Sequence, residues 1–298
     1  MNALIYYLTV PFLYAVSLLP LRFLYLLSDL LYLLVYRLFA YRKKVVLQNL
    51  RNSFPDKPAD EIDRICRGFY HHLCDLIFET IKLLTISRST LEKHIQCEDS
   101  SLLERYLEEK QSVILVLGHL GNWEMVGAFS NLRPVPTVYG IYHPLENKHF
   151  DRLFIKMRTR LGSGVYPMKQ AYKGMLKNRN LVTATGFIAD QTPGPGNAHW
   201  MTFMNQDTAV FRGTEVIARK FDYPVIYVAA IREKRGLYNI QLELLTEHPK
   251  SLAEGELTEM HTKRLEQDII KYPETWLWSH RRWKHKRPAN KRQATPDT

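Results

Sequence analysis

The sequence predicts an α/β fold in which a largely parallel sheet is flanked by helices, preceded by an apolar N-terminal membrane helix. Short apolar runs at 113–117, 137–142, 181–188, 225–231 and 238–245 have the length and branched composition of buried strands. Segments of helical period alternate with them at about 122–131, 145–161, 171–177, 211–221 and 257–271. Such alternation builds parallel sheets covered on both faces. Finally, His119 and Asp190 fall just past two of the runs, and open sheets collect ligands at the carboxyl ends of their strands.

Taken in order, residues 3–21 carry no charge and match the roughly 20 residues that cross a bilayer. Pro11 interrupts them, which membrane helices tolerate. A second apolar stretch, 23–40, is broken by Asp29 and Arg37 and reads as an interfacial helix. Arg22, Arg37, Arg42, Lys43 and Lys44 all follow the first stretch, which by the positive-inside rule leaves the rest of the chain in the cytoplasm. The competing reading is a buried helix of a soluble domain. A turn at 49–58 leads to a long helix over 59–84, whose apolar positions Ile62, Ile65, Phe69, Leu73, Leu76, Ile77 and Ile81 keep helical spacing. His71 and His72 lie on it beside Asp75 and Glu79; such a set could bind metal, but no other cluster supports a site and solvated helix-face residues are the favoured reading.

The organisation expected is a membrane-anchoring segment at 1–44, a catalytic domain at 45–287 and a polar tail at 288–298. A formal charge of +11 favours anionic partners. Three cysteines, Cys66, Cys74 and Cys97, form no CxxC pair, against both a disulfide framework and a zinc cluster. No metal or organic cofactor is implied.

The run at 113–117 ends in Gly118-His119-Leu120-Gly121-Asn122-Trp123-Glu124. On one continuous helix His119 and Glu124 would stand roughly 140° apart, since each residue turns about 100°. They meet if His119 sits in the turn and Glu124 one turn inside a helix starting near Asn122. Glu124 would then fix the imidazole tautomer of a general base. An unrelated loop histidine and helical glutamate fit the spacing equally well.

A histidine followed by an acid after a strand resembles the motif of the glycerolipid and lysophospholipid acyltransferase superfamily. The chain further resembles the bacterial lipid A late acyltransferases, the lauroyl/myristoyl transferases. The likeness runs through Gln48-Asn49-Leu50-Arg51-Asn52-Ser53-Phe54-Pro55, His119 with Glu124, Arg158 and Arg160, Asp190-Gln191, and Trp276-Leu277-Trp278-Ser279-His280-Arg281-Arg282-Trp283-Lys284. It implies direct attack of an acceptor hydroxyl on a fatty acyl thioester, without an acyl-enzyme. The absence of a Gly-x-Ser-x-Gly elbow agrees.

Several residues are candidates for substrate binding. Gly121, with Gly118, would offer backbone N–H groups to an oxyanion, and Asn122 lies at the adjoining helix start. The resemblance implies that an arginine near Arg158, Arg160 and Lys169 recognises phosphate, for which guanidinium has a suitable fork of donors. A solvated basic helix face is the alternative. Asp190 and Gln191 would position a sugar or a loop, or Asp190 would merely cap a turn. The tryptophans and cations of 276–287 suit an anionic membrane interface, though they would equally suit nucleic acid.

The reading these features favour is an inner-membrane O-acyltransferase whose catalytic domain faces the cytoplasm, with acyl carrier protein as donor and a lipid A precursor as acceptor. A lysophospholipid or aminoacyl-lipid acyltransferase is the enzymatic alternative. A basic membrane- or nucleic-acid-binding protein is the other, opposed by the absence of any nucleic-acid motif.

Overall fold

The run at 113–117 forms the central strand of the protein, and its neighbours organise everything around it. A computed structural model describes residues 2–132 and 136–288. The chain enters through α1 (Asn2–Leu18), α2 (Leu21–Tyr32), a π-helical segment at Leu33–Leu38, α3 (Lys43–Ser53) and the long α4 (Ala59–Lys82). Then come α5 (Arg88–Glu92), β1 (Ile95–Cys97), α6 (Ser101–Glu108), β2 (Val113–Leu117), α7 (Trp123–Phe129) and β3 (Thr137–Tyr142). They are followed by α8 (Lys148–Thr159), β4 (Gly164–Pro167), α9 (Ala171–Lys177) and β5 (Thr183–Ile188). A separate hairpin, β6 (His199–Phe203) with β7 (Gln206–Val210), and α10 (Gly213–Phe221) precede β8 (Val225–Lys234), β9 (Leu237–Thr246) and α11 (Glu256–Lys271).

Seven strands form the main sheet in the order β1-β9-β8-β2-β5-β3-β4, and all neighbours run parallel except the β8–β9 pair. The predicted fold class therefore holds for the body of the protein. The strands absent from the sequence reading, β1, β4, β6 and β7, are three to five residues long and lack the unbroken apolar run that marks the five-residue β2. In β2, Val113 and Leu115 face one way and Ile114 and Val116 the other, so the sheet is apolar on both sides.

The N-terminus differs from the expected span. The break at Leu19-Pro20 limits α1 to 17 residues, about 26 Å at 1.5 Å per residue. Among the described residues no single helix is long and apolar enough to cross a membrane. Instead α1 lays one face on the body, with Tyr6 against His149 and Phe150, and leaves Leu4, Tyr7, Leu8 and Phe12 exposed.

Helix α2 is polar inward. Ser28 donates to Asp75 (2.7 Å), Tyr25 to Glu79 (2.9 Å), and Asp29 accepts from Arg235 (2.7 Å). Its outer face shows Phe23, Leu26 and Leu30, followed by Leu33, Leu38 and Phe39 beyond. Residues 289–298, most of the expected tail, lie outside the described residues.

Candidate active site

Parallel register builds the site. Leu117 of β2 pairs with Ile188 of β5; two residues on along each strand stand His119 and Asp190. The His119 backbone N–H donates to Asp190 Oδ2 (2.8 Å), and the imidazole Nδ1 lies 2.6 Å from Oδ1. Trp276 Nε1–H donates to Oδ2 as well (2.8 Å). Burial alone would push the Asp190 carboxyl up, but the charge and hydrogen bonds of His119, with the Trp276 bond, hold it down at about 2. An ionised Asp190 can only accept, so Nδ1 carries a proton, and in the neutral form of the ring Nε2 presents its lone pair. Gln191 Nε2 lies 3.3 Å from that nitrogen, and the indole of Trp123 packs edge-on to the ring at 4.6 Å.

The carboxylate on His119 is thus Asp190, which corrects the expected role of Glu124. Glu124, one turn into α7, is held in a fork by Arg158 of α8, with Nε to Oε2 at 2.9 Å and Nη2 to Oε1 at 2.5 Å. Burial lowers the Arg158 pKa, yet Glu124 outweighs it and raises it on balance. Both side chains line the same cavity as His119.

That cavity, about 380 Å³, lies between α7 and the sheet. Its wall includes Trp123, Val126, Leu115, Leu117, Ile188, Val228 and Leu242, an apolar lining within the usual size range of ligand pockets, ~300–1,000 Å³.

Other expected binding residues fall elsewhere. Gly121 sits at φ 61°, and a Cβ there would strike the Ala230 carbonyl, so only glycine makes this turn. Its N–H donates to Thr275 O (3.0 Å) and its carbonyl meets His72 Nε2 (3.1 Å), which removes it as an oxyanion donor. Asn122 is fully buried. Its Oδ1 caps α7 by accepting from the Met125 N–H (2.9 Å), and its Nδ2 donates to Glu79 (2.6 Å). Arg160 turns from the cavity to donate to the carbonyls of Leu83 and Ile86. Lys169 is exposed beside Met168, a cavity residue.

Beneath the His119 turn lies a polar network that sequence reasoning assigned to solvent. His72 is buried, not solvated, accepting at Nδ1 from Arg232 (3.1 Å), which also pairs with Asp75 (2.6 Å). Burial and the Arg232 charge lower its pKa to about 3. Glu79, its carboxyl pushed up by burial, accepts from Tyr25, Asn122 and Tyr238.

The C-terminal block is also corrected: Trp276, Trp278 and Arg282 are buried, not presented to an interface. Asn49 of α3 donates to the carbonyls of Trp278 (2.9 Å) and His280 (3.1 Å), which brings two of the motifs read from the sequence into contact. No local signal marks Trp276 as the Asp190 donor. The contact is set by a bridge between Leu120 and Trp276, 156 positions later. Among the described residues no group of three or more histidine, cysteine or acidic side chains is placed to hold a metal ion.

The chain matches the family described as bacterial lipid A biosynthesis acyltransferase over residues 1–285. It is similar to the lipid A biosynthesis palmitoleoyltransferase of Escherichia coli (strain K12), 23% identical over 247 residues, or 82% of this chain and 79% of the relative. The lipid A biosynthesis acyltransferase of Shigella flexneri matches with the same identity and coverage. With an Asp190-anchored imidazole opening on an apolar cavity, and a match of this extent, the chain belongs to the bacterial lipid A biosynthesis acyltransferase family.

Proposed function

We propose that this protein moves a fatty acyl chain from an acyl carrier protein thioester to a hydroxyl of a lipid A precursor at the inner membrane. The observation that carries the reading is that His119 lines a cavity of mainly apolar side chains while Asp190 holds its Nδ1, which leaves Nε2, beside the cavity residue Gln191, to meet a substrate. The acceptor oxygen attacks the thioester carbonyl as Nε2 takes its proton. Collapse of the tetrahedral intermediate breaks the C–S bond, and the imidazolium returns the proton to the departing thiolate. Asp190 orients the ring and stabilises its charged form, a contribution worth about 10²–10⁴ in rate for positioned general bases. Gln191 occupies Nε2 at rest, where the acceptor hydroxyl takes its place.

Glu124 and Arg158 shape the cavity wall beside the base, and the remaining Arg158 N–H groups offer a site for acceptor phosphate. The exposed leucines and phenylalanines of α1, α2 and the π-helical segment seat the protein on the cytoplasmic leaflet, and its net positive charge favours both an acidic carrier and anionic lipid.

The test is product mass. Purified protein given acyl carrier protein thioester and lipid A precursor yields a product heavier by one acyl chain, and His119→Ala loses at least about 10²-fold in turnover while melting like the parent. Equal turnover by the two proteins would remove His119 from the reaction.

A further inference from the structure

Three glycines facing the cavity are explained by neither backbone nor packing. Gly127 lies within helix α7, Gly140 within strand β3 and Gly186 within strand β5. None has a positive φ, so an L side chain fits each backbone. Glycine inside a helix or strand is less favourable than alanine, yet these positions keep it. A Cβ at Gly127 or Gly140 would meet nothing within 4 Å, and one at Gly186 only the Tyr139 carbonyl at 3.7 Å. By contrast, a Cβ at Gly118 would run into Leu265, one at Gly164 into Tyr139, and one at Gly174 into Tyr166. The remaining glycines with open space, Gly194, Gly196 and Gly213, lie exposed at the surface.

The three are also placed together. Gly186 pairs with Leu115 on one side and Gly140 on the other, so two missing side chains adjoin on one rung of the sheet. All line the cavity, as does Trp123, which shares the Gly127 face of α7. The rung lies four residues before His119, roughly 13 Å along the strand at about 3.3 Å per residue. Side chains here would fill the lumen away from the reacting atoms.

We propose that Gly127, Gly140 and Gly186 set the length of alkyl chain the cavity admits, and so the chain-length preference of the transfer. The proposal rests on the reading that this cavity holds the donor chain. It predicts that Gly140→Val and Gly186→Val, and Gly127→Leu from the helix side, shorten the preferred chain without disabling His119.

The experiment offers parent and variants a mixture of acyl carrier protein thioesters of graded chain length with lipid A precursor and reads the products by mass. In parallel, thermal stabilisation by free fatty acids of the same lengths is measured without any transfer. The expected result is that the longest chains used by the parent fall at least about tenfold relative to shorter ones, with stabilisation by long fatty acids lost in step. Gly213→Ala leaves both profiles unchanged. Where a large side chain lowers the melting temperature, alanine at that position is read instead. If the parent transfers no chain, but its stabilisation by long fatty acids is lost in the variants, the transfer reading fails and the role of the glycines stands. Parent and variants with identical chain-length profiles in both measurements would overturn the proposal.

Discussion

Gly186 and Phe187 are neighbours on β5 that point to opposite faces of one sheet, and the two faces have been built for different ends. On the Phe187 side, α4, α10, α11 and the C-terminal tryptophans fill the space, and Asp190 is fixed there by Trp276. On the Gly186 side, α7 and α8 leave a cavity. The solid face carries stability and holds the carboxylate still; the hollow face leaves room for a ligand. Such a division suits general-base catalysis, because a base is useful only if its orientation survives the arrival of a flexible substrate.

The comparison can be broken by substitution. Phe187→Ala, which empties a packed site, is expected to lower unfolding free energy by about 3–5 kcal/mol in denaturant titrations. Gly186→Ala one residue away should leave it unchanged or slightly higher.

Acid should attack the solid face next. His72 and the buried His261 have pKa values lowered by burial to about 3 and about 4. Unfolded imidazoles bind protons near pH 6.5, whereas these stay neutral in the fold, so stability falls as pH drops from about 6.5 toward 4. The loss is on the order of 3 kcal/mol for each by pH 4. Melting curves across that range check it, and His261→Gln should flatten the dependence.

A smaller effect is expected where the faces meet. Trp276→Phe removes one donor to Asp190 and should cost about 1.5–3 kcal/mol of interaction, read as a fall in kcat of tenfold or more with KM little changed. If kcat is unaltered, the indole serves packing alone.

Much of the fold was legible because the strands and helices around the site are long enough to show their period, and β2 through α7 read almost residue for residue. Some residues that line the cavity were legible, and their pairings were not. His119 and Asp190 were both visible as strand-end residues, but their meeting depends on β2 and β5 being parallel neighbours in register, which no local pattern specifies. Glu124, nearer in sequence, was the natural partner for His119 until Arg158 was seen to claim it from α8. The burial of His72, Trp278 and Arg282 was hidden for the same reason: polar and amphipathic residues look solvated until distant partners arrive. The leucine faces of α1 and α2 gave the opposite impression, since a run without charge looks like a span until Pro20 cuts it short.

The central claim is that Asp190, and not Glu124, governs the state of the His119 imidazole. Steady-state turnover of Asp190→Asn and Glu124→Gln, measured side by side on folded protein, tests it most directly. The account predicts that Asp190→Asn loses about 10³–10⁴ in kcat, as a triad aspartate does when its replacement favours the wrong tautomer, while Glu124→Gln keeps the pH dependence of the parent and loses far less. Near-parental turnover in Asp190→Asn, together with a loss in Glu124→Gln equal to that of His119→Ala, would contradict it.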